Sequence, residues 1–191
     1  TLIGEVPVEL ALRRDGALAG DDIWVSGATG EAALALAARS GRIALADPLL
    51  TQCLARLEVP EPRVELGGRL RGLARSAIDV SDGLLADLGH ILEMSGVGAE
   101  VWYDLLPCAP GMAACGDAVL VRECLTGGGD DYELVFTVGP HRRGEVQAVS
   151  ADLGLALTRI GSIVPGEART TLRDGKGRTI PLARPGFDHF R

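Results

Sequence analysis

Apolar residues recur along the chain at two spacings, and their alternation predicts an order of elements. Residues 31–40 are rich in Ala and Leu and predict a helix. Residues 48–57 predict a second, with Pro48 in its permitted first turn. Residues 64–73 predict a third, in spite of Gly67, Gly68 and Gly72. From Leu84 the apolar positions Leu84, Leu85, Leu88, Ile91 and Leu92 keep to one face of a helix, which Gly96 ends. Residues 117–125 and 142–153 predict two more helices. Short apolar runs at 23–25, 99–103, 134–138 and 157–164 predict strands, and another run ends at Asp79. Asp174 to Gly177 has the chemistry of a hairpin turn between 170–172 and 178–182, and 58–63 is an extended, Pro-containing spacer. Residues 1–12 mix apolar and β-branched positions around Pro7 and predict one or two extended segments. The fold class is α+β, a mixed sheet with helices packed against it.

Composition narrows the partners. The 191 residues suffice for one sizeable domain, and 47% apolar with 24% charged residues is ordinary for a soluble globular protein. Only 4% are aromatic, so the core must come from Leu, Val, Ile and Ala. A net charge of −7 argues against a nucleic-acid or anionic-membrane surface, but leaves room for an anion held through metal ions. Cys53, Cys108, Cys115 and Cys124 lack C-x-x-C spacing, and His90, His141 and His189 lie far apart. They read as reduced, structural thiols in a cytoplasmic protein. No stretch approaches a membrane span, and the start lacks the regions of a signal peptide.

The most informative stretch is S-A-I-D-V-S-D-G-L-L-A-D-L-G-H, residues 76–90. It sets Asp79 and Asp82 at a strand-to-helix junction, where Ser81 or Asp82 can cap exposed N–H groups and the helix start attracts phosphate. A cap needs one oxygen. The second carboxylate points to a hard cation, since Mg²⁺ takes one or two carboxylates together with phosphate oxygens. Asp21 and Asp22 form another acidic pair, read as a solvated turn before the strand at 23–25. Gly127, Gly128 and Gly129 allow backbone N–H groups to approach a ligand, and equally suit a mobile turn. They do not form a Walker A loop. The tail holds Phe187 and Phe190 and either docks on the core or has Phe187 offer a flat face to a ring.

Taken in order, that stretch with G-G-G-D-D-Y-E-L-V-F, R-I-G-S-I and G-F-D-H-F resembles the C-terminal part of the thiamine-monophosphate kinase family. The opening G-E-V-P and A-L-R-R-D-G-A-L-A-G-D-D-I-W-V-S-G is similar to it as well, so the resemblance covers nearly the whole chain. It implies phosphorylation of thiamine monophosphate to thiamine diphosphate, with ATP as co-substrate and several Mg²⁺ ions. It also implies a homodimer in the complete enzyme and the C-terminal domain architecture of aminoimidazole ribonucleotide synthetase. In these terms residues 1–25 lead in from an N-terminal nucleotide-binding half outside the 191 residues. Residues 26–191 then form the domain for substrate and phosphate, which is expected to be inactive alone. The resemblance assigns ATP contacts to Arg14 and Ser81, metal ligands to Asp79 and Asp82, and substrate contacts to Asp130 and Phe187. Asp130 stands where the family usually has Glu, and no catalytic side chain is expected, because the attacking phosphate oxygen is already anionic. The alternatives are a related ATP-using enzyme acting on a purine precursor or selenide, and a non-catalytic ligand-binding domain.

Overall fold

The computed structural model describes residues 4–7 and 9–181. Its centre is the strand β1, Asp22–Ser26, whose five residues are all buried. Around it lie α1 (Glu31–Arg39), α2 (Leu49–Glu58), α3 (Val64–Leu70), β2 (Ser76–Asp79), α4 (Leu84–Ser95) and β3 (Gly98–Trp102). These are followed by α5 (Ala118–Gly127), β4 (Leu134–Val138), α6 (Arg143–Leu153), β5 (Leu157–Val164) and β6 (Thr170–Arg173). The six strands form one sheet in the order β2-β4-β1-β5-β3-β6. Every pairing is antiparallel except β3 with β6, so the sheet is mixed as expected.

Side chains alternate across a strand, and here both faces of the sheet are covered. Ile23, Val25 and Val135 face a cluster built from α1, α4 and α5, which includes Leu34, Leu84, Leu88, Ile91 and Leu120. Trp24, Phe136 and Val138 face the other way, onto Leu66 and Leu70 of α3 and Val146 of α6. The periodic apolar stripe of α4 is therefore its core face, and Gly96 ends the helix in the left-handed conformation.

Five expectations need correction. Among the described residues of the first twelve there is no strand, and the only ladder-like contact nearby is the Ala77 N–H donating to the Arg13 carbonyl at 2.9 Å. Pro48 stands just before α2, not within its first turn. The third helix stops at Leu70, and Gly72, with φ of 70°, turns the chain toward β2. The acidic pair is not a solvated turn. Asp22 is 2% exposed and accepts from Arg143 Nη2 at 2.8 Å and Arg159 Nη1 at 3.1 Å, while Asp21 faces Arg75 at 3.2 Å. Burial draws the Asp22 carboxyl upward, but the two guanidinium groups outweigh it and hold the acid below its ordinary range. The hairpin at Asp174–Gly177 forms, but its second arm is reduced to one bridge between Arg173 and Thr179.

Candidate metal and phosphate site

The exposed end of β2 carries Asp79, and residues 80–83 turn from there into α4. This turn is stitched to the glycine-rich acidic loop that precedes β4. Val80 N–H donates to the Glu133 carbonyl and Tyr132 N–H to the Val80 carbonyl, each at 2.8 Å; Asp130 N–H donates to the Ser81 carbonyl at 2.9 Å. The result joins Asp79, Ser81, Asp82 and Asp130 on one ledge from two segments about fifty residues apart. The glycines make the approach possible: a Cβ on Gly129 would stand 2.4 Å from the Ser81 carbonyl oxygen. One on Gly83, whose φ is +123°, would meet the backbone of Gly127 at 2.8 Å.

The turn into α4 is held differently from the expectation. The Asp87 carboxylate, one turn inside the helix, reaches back to hold it. Its Oδ2 accepts from the N–H groups of Ser81, Asp82 and Gly83 at 2.9, 3.0 and 3.1 Å. Asp87 is 2% exposed, and burial, with the nearby Asp82 charge, pushes its carboxyl up against the pull of those amides. The amide cradle that could have met a phosphate is thus filled by the chain itself.

The acidic loop is held from within. Asp130 and Tyr132 both take left-handed backbone angles, φ of 66° and 51°, which is costly for tyrosine and leaves both residues exposed around the inward-turned Asp131. Asp131 Oδ2 accepts the Gly30 N–H at 2.8 Å, at the start of α1, and burial pushes its carboxyl up to about 7. Glu133 is anchored more deeply. It receives Arg63 Nε at 2.7 Å and Nη2 at 2.6 Å, and Ser26 Oγ at 2.6 Å. An apolar groove of about 380 Å³, lined by Leu12, Pro62, Val64, Tyr132 and Leu134, adjoins Asp79.

Of the other assigned residues only Arg14 is among those described, and it stands outside this ledge. Arg14 is exposed beside the other end of α4, where its carbonyl accepts Ser95 Oγ at 2.9 Å. Phe187 lies outside the described residues. Asp87, Asp131 and Arg63 are the supports that sequence reasoning missed. Asp87 left a trace, as an acid on the apolar face between Leu84 and Ile91; Arg63, in the Pro-containing spacer, left none.

The donor set fits Mg²⁺. It consists of hard carboxylate oxygens without His or Cys, and among the described residues no three acidic, His or Cys side chains gather closely enough to hold an ion alone. Two carboxylates completed by water and phosphate is the ordinary arrangement for that cation.

The sheet and its helices define a domain of the fold class seen in the hydrogenase maturation protein HypE of E. coli. That structure covers 95% of this chain with a TM-score of 0.69 at 19% identity, a likeness of fold alone. Closer likenesses go further. The chain is 39% identical over 189 residues to the thiamine-monophosphate kinase of Escherichia coli K12, and 38% identical over 193 residues to that of Caulobacter vibrioides. These matches cover 98% and 99% of the chain but 58% and 53% of the relatives. Among solved structures, the thiamine-monophosphate kinase of Stenotrophomonas maltophilia K279a is 44% identical, with a TM-score of 0.80, covering 90% of this chain and 54% of that one. AaThiL complexed with AMPPCP and TMP is 27% identical, with a TM-score of 0.77, covering 94% and 54%. No family model matches the chain. The chain is a thiamine-monophosphate kinase homologue corresponding to the C-terminal part of those proteins, and it spans a little over half their length.

Proposed function

We propose that this chain is the C-terminal part of an ATP-dependent kinase that converts thiamine monophosphate to thiamine diphosphate. The observation that carries the proposal is the ledge itself. The Asp130 amide on the Ser81 carbonyl brings the acidic loop against the Asp79–Asp82 turn, which supports assigning metal, nucleotide and substrate contacts to residues of these two segments. The likeness to a protein complexed with AMPPCP and TMP supports the same pair of ligands here.

In this assignment Asp79 and Asp82 hold Mg²⁺, and Ser81 contacts the nucleotide. The cation, when bound, neutralises phosphate charge and aligns the transferring group. Asp130 attracts the cationic thiazolium, and the groove beside Asp79 offers apolar wall to a flat ring. Arg14 completes the ATP contacts from beyond the ledge, and Phe187 is assigned to the thiamine. An N-terminal half supplies the remaining metal ligands and the homodimer contact, so the 191 residues alone are inactive. No helix among the described residues is long and apolar enough to cross a membrane. The proposal places the enzyme in the cytoplasm, with no nucleic-acid partner.

Phosphorus NMR on the full-length protein with ATP, Mg²⁺ and thiamine monophosphate tests this directly. Thiamine diphosphate from the full-length protein but not from the 191 residues is the expected result. No product from either would sink the thiamine assignment and direct attention to purine precursors and selenide.

A further inference from the structure

We propose that Asp87 is a positioning residue for the metal site, fixing the 81–83 turn through Oδ2 and thereby setting where the Asp82 carboxylate stands. This rests on the assignment of Asp82 as a metal ligand, and extends it to a side chain that touches neither metal nor substrate.

The geometry is specific. One carboxylate oxygen gathers three consecutive N–H groups, those of Ser81, Asp82 and Gly83, within 3.1 Å. Consecutive amides converge on one point only when the turn folds into a concave nest, and an anion at its centre locks that shape. The anion belongs to the chain and is carried by α4, whose apolar face seats Leu84, Leu88 and Ile91 in the core at no measurable exposure. The position of Asp87 is therefore dictated by the core, and the turn inherits it. From the opposite side the backbone of Gly127 closes on Gly83. The Asp82 Cα is pinned between a rigid helix and a second loop, which leaves its side chain little freedom beyond its rotamers.

The arrangement also decides how phosphate can be held. A nest occupied by a carboxylate repels a phosphate that would otherwise enter it. Nucleotide phosphates must then approach this ledge through metal ions on Asp79 and Asp82, not through the amides at the start of α4. The Asp87 charge lies behind Asp82 and deepens the local negative potential, which favours cation binding at the ledge.

Manganese binding followed by EPR in the full-length protein tests the inference, with thermal unfolding run in parallel. Asp82→Asn first identifies which bound Mn²⁺ depends on this turn. Asp87→Ala should weaken that same class of site by roughly tenfold or more, the usual range for residues behind a metal ligand. Asp87→Asn keeps an acceptor oxygen but loses the charge, and should fall between Asp87→Ala and the parent. If Asp87→Ala does not fold, Asp87→Asn decides alone. A weakened Asp82-dependent site at unchanged melting temperature supports the inference, and unchanged Mn²⁺ affinity overturns it. Absence of any Asp82-dependent Mn²⁺ in the parent overturns it too. The kinase assignment fails separately: a protein that binds Mn²⁺ normally but makes no thiamine diphosphate loses that assignment and leaves the Asp87 result standing.

Discussion

Arg63 and Glu133, seventy positions apart, form a two-toothed ion pair whose side chains are 8% and 3% exposed. It ties the spacer between α2 and α3 to the end of the acidic loop, directly beneath the ledge. Arg63→Ala should destabilise the fold by about 3–5 kcal/mol, because it leaves a buried carboxylate without its partner. Urea unfolding measures this. A loss below about 1 kcal/mol, the range of exposed pairs, would mean that water reaches Glu133 in the folded protein.

Asp131 should give the protein a pH dependence of its own. Burial raises its carboxyl from 3.8 to about 7, so the folded state holds this proton more tightly than the unfolded chain. Stability therefore declines as pH rises from about 4 to about 7, with a ceiling near 1.4 kcal/mol per pH unit. Partial exposure of Asp131 brings the slope below that ceiling. Asp131→Asn keeps an acceptor for Gly30 and cannot ionise, so its stability should gain on the parent as pH rises across this window. Parallel stability curves for the two proteins would contradict the enclosed setting of Asp131.

Two glycines in positive-φ conformations should respond unequally to alanine. At Gly96 a Cβ meets nothing within 4 Å, so Gly96→Ala should cost only the conformational term of about 1 kcal/mol. At Gly83 the same change adds a collision with Gly127 backbone, and about 2 kcal/mol or more is expected. Equal melting temperatures for the two variants would show that α5 gives way.

Asp82→Asn should lower turnover of the full-length protein by on the order of 100-fold at ordinary Mg²⁺, with part of the activity recovered at higher Mg²⁺. The check is thiamine diphosphate formation across a Mg²⁺ titration. Near-parent rates at low Mg²⁺ would take Asp82 out of the metal role.

The sequence made local elements legible where one residue pattern decides them. The stripe from Leu84 to Leu92 marked α4, and the runs at β1, β4 and β5 marked strands, because burial on a helix or a sheet leaves a short-range period. What stayed hidden depends on partners far along the chain. Asp22 reads as a surface acid until Arg143 and Arg159, more than a hundred residues later, come beside it. The candidate site divides the same way. Asp79 and Asp82 stood out by type and spacing, whereas the role of Asp87 as an internal anion appears only when the turn closes over it.

The central place of β1 also bears on how the chain comes off the ribosome. Its two neighbours are β4 and β5, and Leu134, the first residue of β4, lies 108 positions beyond Ser26. Until most of the chain has been synthesised, Ile23, Trp24 and Val25 have no strand to pair with, while α1 and α4 can already form beside them. Such distant pairing slows folding and leaves an apolar strand open to wrong partners. In the nascent chain β1 is accordingly an apolar segment that waits unpaired for partners made much later.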